Sequence, residues 1–249
     1  MVATMSLAEI GGMKPGERVV RLTACELKLA PQVWNYQIDN AAGIDRHWHR
    51  QRAENPQMFN GVVHVLARGR WDRSNFYGEL LATDFKSYLH WRDAGFPSAG
   101  VLDAFGSALI RSAEGHVILG RQRAGNINGG IAYLPGGFID ARDVTPSGAI
   151  DIAASILREL HEETGQRPED FRIMPGFLLT SWNAQLSIAL ELVSPLTSDD
   201  LRERIMQHIA ADPDSELVDA VIVRSAADAR EAGSHPYAEV LLEWLFAER

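Results

Sequence analysis

Cysteine is nearly absent from this chain: Cys25 is the only one in 249 residues. A lone thiol excludes an internal disulfide framework and suits a reducing compartment, and it is read as an ordinary small side chain. Positive charge is also short. The 24 lysines and arginines face 33 aspartates and glutamates, for a formal net charge of −9. With no basic stripe to displace counterions, the chain is not expected to bind nucleic-acid backbone. No apolar run approaches the length that spans a bilayer. The opening residues, Met1-Val2-Ala3-Thr4-Met5-Ser6-Leu7-Ala8-Glu9, lack the basic and long apolar regions of a secretory signal. No membrane partner is expected, and the expected location is cytoplasmic. Repeats and low-complexity segments are missing too.

What is present is apolar material for a large core, 46% of the residues, enough for one large domain or a catalytic domain with a companion. Pro97-Ser98-Ala99-Gly100 is the best linker candidate. It divides the chain into 1–99, a β-rich module for substrate recognition or dimerisation, and 100–249, the domain expected to carry the chemistry. Strands are expected at 19–22, 27–29, 62–66 and 76–81, with a helix over 44–54 and a second helix capped by Thr83. Beyond the linker, 105–109 and 117–121 read as a hairpin. Further strands are expected at 177–180, 186–192 and 218–223, and helices at 201–210 and 237–246. His47 and His49, two apart on a helix, point away from each other, which argues against a shared metal.

The chain is organised around Gly136-Gly137 and the later run Arg158-Glu159-Leu160-His161-Glu162-Glu163-Thr164-Gly165. Ala153, Ile156, Leu157, Leu160 and Thr164 recur at three- and four-residue steps, which gives a helix with one core-facing stripe. Gly165 is placed to end it with a left-handed cap. On the opposite face Glu159, Glu162 and Glu163 fall within one turn. Like charges so spaced repel by roughly a few tenths of a kcal/mol per pair even when exposed. Arg158, four residues before Glu162, can brace one of them. Clustered hard oxygen ligands suit Mg²⁺ or Mn²⁺, while a plain solvated acidic face is the other reading.

The order of these residues resembles the signature of the Nudix hydrolases, commonly written G-x5-E-x7-R-E-U-x-E-E-x-G-U with U aliphatic. Arg158, Glu159, Leu160, Glu162, Glu163 and Gly165 match it in register. The segment from Gly137 to Arg158 is about seven residues longer than usual, with Asp140, Arg142 and Asp143 inside it. Eight positions before Arg158, where the pattern has glutamate, stands Ile150, and Gln166 replaces the last aliphatic residue. The resemblance implies an α/β/α sandwich with a mixed sheet, and a pyrophosphohydrolase that uses Mg²⁺ or Mn²⁺. It further implies Glu159 and Glu163 as principal metal ligands, Glu162 as a further ligand or base, Gly137 as a carbonyl donor, and Arg158 as the residue that orients the glutamates. Replacing Glu162 or Glu163 by Gln should then abolish turnover.

Substrate contacts are sought outside the signature. Arg121 and Arg123, two apart before the glycine corner, either share a face toward a phosphate or form an exposed edge pair. Glu216 is the candidate for an additional carboxylate from a later loop, with Glu191 the weaker alternative. Phe59-Asn60-Gly61 and Thr83-Asp84-Phe85-Lys86 are similar, in order and spacing, to motifs of the UDP-glucose pyrophosphatase group within the family. Asp84 and Lys86 then contact a sugar or uracil, or cap a helix and close a surface ion pair. The expected substrate is a nucleoside diphosphate linked to another moiety, preferably a nucleotide sugar. An ADP-ribose or NADH pyrophosphatase and a non-catalytic nucleotide sensor are the alternatives. A homodimer is possible on the family's pattern.

Overall fold

A computed structural model describes residues 18–248. The first half contains Val19–Leu22 (β1), Ala24–Leu29 (β2), Asn35–Asp39 (α1), Ala41–Glu54 (α2), Val62–Asp72 (β3), Asn75–Asp84 (β4) and Phe85–Asp93 (α3). Then come Asp103–Arg111 (β5), Val117–Gln122 (β6), Ala132–Tyr133 (β7), Gly136–Phe138 (β8), Ala149–Ile150 (β9) and Ile152–Thr164 (α4). The chain continues through Arg172–Ile173 (β10), Phe177–Trp182 (β11), Gln185–Val193 (β12) and Ser198–Ala211 (α5). It ends with Leu217–Val223 (β13), Ala226–Glu231 (α6) and Pro236–Ala247 (α7).

The larger sheet runs β1-β11-β12-β5-β6-β13, with β8 on β5, β7 on β6 and β10 on β12. Its centre is parallel, with β12 beside β5 from Gln185 opposite Asp103 to Val193 opposite Arg111, while β11 and β6 flank that pair antiparallel. The smaller sheet has the order β3-β4-β2-β9.

Side chains alternate along a strand, so the larger sheet buries two faces. Ala108, Ile110, Ile118, Leu179 and Ile188 go to one side, against Ile156 and Leu160 of α4, Leu201 and Ile205 of α5, and Leu27, Phe76 and Leu80 of the smaller sheet. Leu109, Val117, Leu119, Leu178 and Ala189 go to the other, against Leu241, Leu242 and Leu245 of α7. The result is the expected α/β/α sandwich with a mixed sheet. A third apolar cluster, around Trp34, Val65, Tyr88 and Trp91, packs α3 against the smaller sheet.

Both sheets join residues from either side of position 100, since β1 pairs with β11 and β9 completes the smaller sheet. The Pro97–Gly100 stretch is pinned by two indoles, with Trp91 donating to the Pro97 carbonyl at 2.8 Å and Trp34 to that of Ala99 at 3.0 Å. Thr83 does not cap α3. It stays in β4 and donates its hydroxyl to Gln37, and the cap is Asp84, the last extended residue, which accepts from the Ser87 amide at 3.0 Å. A carboxylate there satisfies an orphan amide at the positive end of the helix. His47 is buried against Asp93 at 2.9 Å whereas His49 is exposed, so the two rings do diverge.

Candidate active site

The side chain of Asp151 starts α4 by accepting from the Ala154 amide at 3.0 Å, and Gly165 ends it at φ 68°, in the left-handed region. The helix lies across β5 and β8, where Gly106 stands opposite Gly137 and Ser107 opposite Gly136. A Cβ on Gly136 would come within 2.2 Å of the Gly106 carbonyl oxygen, and one on Gly137 within 2.8 Å of the Glu159 carboxylate. The corner is therefore glycine for reasons of space, and its backbone lies directly against the acidic face of α4.

The three glutamates of that face have different surroundings. Glu163 is buried beneath the corner, where one oxygen accepts from the Tyr133 hydroxyl at 2.6 Å and the other from the Gly136 amide at 2.8 Å. Burial pushes its pKa up to about 8, against those two bonds and with help from the charges of Glu216 and Glu159. Glu159 is also raised by burial, opposed by the Arg158 guanidinium it accepts from. Glu162 is half-exposed and stands 3.6 Å from both Arg142 and Arg158. Glu216, at the threshold of β13, joins the group, its pKa raised by burial and then by the charge of Glu162. Glu191 does not. It is buried in β12 opposite Leu109, held between Arg111 and Arg21 as a structural ion pair.

The long segment after the corner resolves a gap in the sequence pattern. Asp143 stands six residues after Gly137, the distance at which the Nudix pattern, counted forward, has its glutamate. Its buried carboxylate accepts from Arg158 at 2.8 Å and from the Asp140 amide at 2.9 Å. Counting back eight positions from Arg158 reaches Ile150 instead, because the extra residues lie between Asp143 and the helix. They form a small hairpin, with the Thr145 amide bonded to the Ala149 carbonyl at 2.8 Å, and dock Ile150 opposite Leu27 on the smaller sheet. Asp143→Ala is expected to cost about 3 kcal/mol of stability, because Arg158 loses its buried partner. Urea denaturation, run beside a rate assay, reads both this loss and the accompanying fall in turnover.

A cavity of about 280 Å³ opens at the glycine corner, with Glu159, Arg142, Asp140 and Glu216 at that end and Tyr88, Asp103 and Gln185 among its walls. It shares Arg92, Gln122, Ile127, Phe138 and Glu216 with a larger groove of about 1120 Å³, which is also lined by Phe59, Gly61, Phe85 and Arg123.

The sequence of the second half matches the description "NUDIX domain" over residues 102–243, more than half of the chain. The chain belongs to the Nudix family. It is a pyrophosphohydrolase of that family, whose members use divalent metal ions. Among solved structures it is similar to a MutT protein of Methanosarcina mazei, at 21% identity and TM-score 0.39 over 58% of this chain and 93% of that one. It is similar also to the Nudix hydrolase RenU of M. smegmatis, at 15% identity and TM-score 0.36 over 57% and 81%. A C. elegans Ap4A hydrolase gives 16% identity and TM-score 0.37 over 59% and 97%. No curated protein matches the chain.

Do the Nudix residues present here fit a divalent ion? The donors are the right kind: hard carboxylate oxygens beside a corner that no Cβ obstructs. They are not yet converged. Among the described residues, no three acidic, histidine or cysteine side chains are gathered closely enough to hold an ion as they stand. The reason is local: Arg158 and Arg142 draw Glu159 and Glu162 into ion pairs, so guanidinium supplies the positive charge that the carboxylates need.

The remaining candidates are placed as follows. Arg123 lines the groove and donates to the Ser215 carbonyl at 2.8 Å. Arg121 lines neither cavity nor groove and donates to Gly130. Lys86 is ion-paired to Asp45 at 2.7 Å. Asn60 joins the two short N-terminal motifs, donating to Asp84 at 3.1 Å and accepting from the Lys86 amide at 2.8 Å. Sequence reasoning missed Tyr133, Arg92, Asp103 and Gln185, which come to the site from four separate elements and carry no local motif. No helix among the described residues is long and apolar enough to cross a membrane.

Proposed function

We propose that the protein hydrolyses a nucleoside diphosphate linked to a sugar, giving a nucleoside monophosphate and a sugar phosphate, with Mg²⁺ or Mn²⁺ as cofactor. The observation that carries this reading is the cavity at the glycine corner running into a much larger groove, so that a substrate with a moiety on each side of its diphosphate has room for both. Glu159, Glu163 and the Gly137 carbonyl would hold the ion, with Glu162 and Glu216 beside them. Bound there, it supplies charge to offset the phosphoryl oxygens and acidity for an attacking water.

The chain's own residues do the rest. Arg158, fixed by Asp143, holds Glu159 against the corner. Glu162, the outermost carboxylate, takes the proton from water. Arg142, braced by Asp140 at 2.7 Å, stands near Glu159 and Glu162 and contacts a phosphate through its remaining donors once the glutamates turn inward. Arg123 contacts the substrate in the groove. Asp84, Lys86 and Arg121 act on the substrate through the segments they hold, since their side chains are engaged elsewhere. The first hundred residues contribute to recognition through the Phe59–Gly61 turn and Phe85, which wall the groove.

The test is a hydrolysis panel with Mg²⁺ or Mn²⁺ covering UDP-glucose, ADP-ribose, NADH and diadenosine polyphosphates. UDP-glucose is expected to be cleaved fastest, to UMP and glucose 1-phosphate. Faster cleavage of ADP-ribose or NADH would overturn the nucleotide-sugar reading, and survival of every compound would leave a nucleotide-binding protein.

A further inference from the structure

At the wall of the cavity away from the glutamates, Asp103 is buried at the start of β5. It accepts from the Tyr88 hydroxyl at 2.9 Å and from the Gln185 amide nitrogen at 3.0 Å. Both bonds fall on the same oxygen, Oδ2, so neither uses Oδ1. Gln185 is the register partner of Asp103 on the neighbouring parallel strand, so the two side chains share a face of the sheet. Aromatic pairs line the cavity: Tyr88 against Phe138, with ring centroids 4.8 Å apart, and Phe105 against Tyr237 at 5.0 Å. Asp103 lies three residues along β5 from Gly106, which faces Gly137, or about 10 Å from the corner at the rise of an extended strand. A nucleoside spans a distance of that order between its 5′ phosphate and the far edge of its base.

Resting on the proposal that a nucleotide binds with its phosphates at the glycine corner, we propose that Asp103 and Gln185 read the edge of its base and select a lactam, uracil or guanine. A lactam presents an N–H beside a C=O. The carboxylate accepts the N–H, and the second amide hydrogen of Gln185 is available to the carbonyl. Adenine and cytosine present a ring-nitrogen lone pair where uracil and guanine present the N–H, and a carboxylate repels it. Planar bases suit the aromatic walls. Burial raises the pKa of Asp103 against its two bonds, a cost that a third donor from the base would reduce.

The bonds from Tyr88 and Gln185 also dictate what Asp103→Asn does. Both donors need an oxygen, so the amide oxygen takes the Oδ2 position and the NH₂ group takes that of Oδ1. The cavity then offers a donor where it offered an acceptor.

Calorimetric titration of the full chain with UMP, GMP, AMP and CMP, in the presence of Mg²⁺, tests the inference without depending on turnover. UMP or GMP should bind the wild-type protein about tenfold or more tighter than AMP and CMP, the discrimination expected of a well-made pair of base contacts, and comparing UMP with GMP separates the two bases. Asp103→Asn should abolish or invert the preference, and Gln185→Met should narrow it, with circular dichroism confirming both folds. Equal or tighter binding of AMP or CMP by the wild-type protein, or binding of none of the four, overturns the inference, as does an unchanged order of preference in both folded variants. The two readings fail separately: cleavage of nucleotide sugars without a base preference removes this one alone, and a base preference without cleavage of nucleotide sugars removes only the other.

Discussion

Glu163→Gln is expected to lower kcat by about two to four powers of ten, the range over which a positioned carboxylate contributes to proton transfer and metal-assisted hydrolysis, while leaving the protein folded. The same substitution should change how stability depends on pH and metal. With its folded pKa raised from 4.5 to about 8, Glu163 keeps its proton in the folded chain over a range where the unfolded chain has released it. The metal-free protein should therefore lose stability as pH rises from about 4.5 toward 8. Glutamine cannot titrate, so that loss should shrink in the variant, offset in part by a weakened bond to the Gly136 amide, worth about 1 kcal/mol. Mg²⁺ should reverse the ranking. An ion at a hundred times its dissociation constant stabilises the form that binds it by about 2.7 kcal/mol, and the variant should lose most of that gain. Thermal melts of both proteins at pH 5 and pH 8, with and without Mg²⁺, read all of this. A variant that keeps wild-type turnover and the full Mg²⁺ response would remove Glu163 from the site.

Gly136→Ala has a comparably large expected effect through the backbone. Its methyl would sit 2.2 Å from the Gly106 carbonyl oxygen and 2.9 Å from the Ser107 Cα, both on β5. Neither is the end of a flexible side chain, so β8 has to move off β5. That should cost about 3 kcal/mol or more, at the upper end of what overpacking does. It should also pull the Gly136 amide from Glu163, and with it the floor of the proposed metal site. The expected outcome is a lowered thermal midpoint and a protein without measurable hydrolysis even where it remains folded. A fully active, equally stable Gly136→Ala protein would mean that the corner does not set the position of the glutamates.

What lay in the sequence about this site is local and short in range. The helix of the acidic face, its glycine stop, the three glutamates on one turn and the glycine corner all follow from spacing and from the backbone freedom of one residue type. The α/β/α fold followed from the resemblance those residues carry. Glu216 too was open to inspection, as an acidic residue in a polar turn before an apolar run. Features governed by distant partners were not legible. Whether Thr83 or Asp84 caps α3 depended on the reach of β4. Asp143 was hidden by an insertion whose hairpin makes sense only beside β2.

The amino-acid sequence by itself determined which carboxylates lie within one turn of α4, since residues three and four apart on a helix need no other part of the chain to bring them near each other. Only the tertiary structure decided what surrounds them. It buried Glu163 beneath a tyrosine, set Arg142 and Arg158 among the other carboxylates, and joined Asp103, Gln185 and Tyr88 from three elements at one cavity. Those contacts join residues up to 82 positions apart, and they are set by strand register and core packing, which no local pattern encodes.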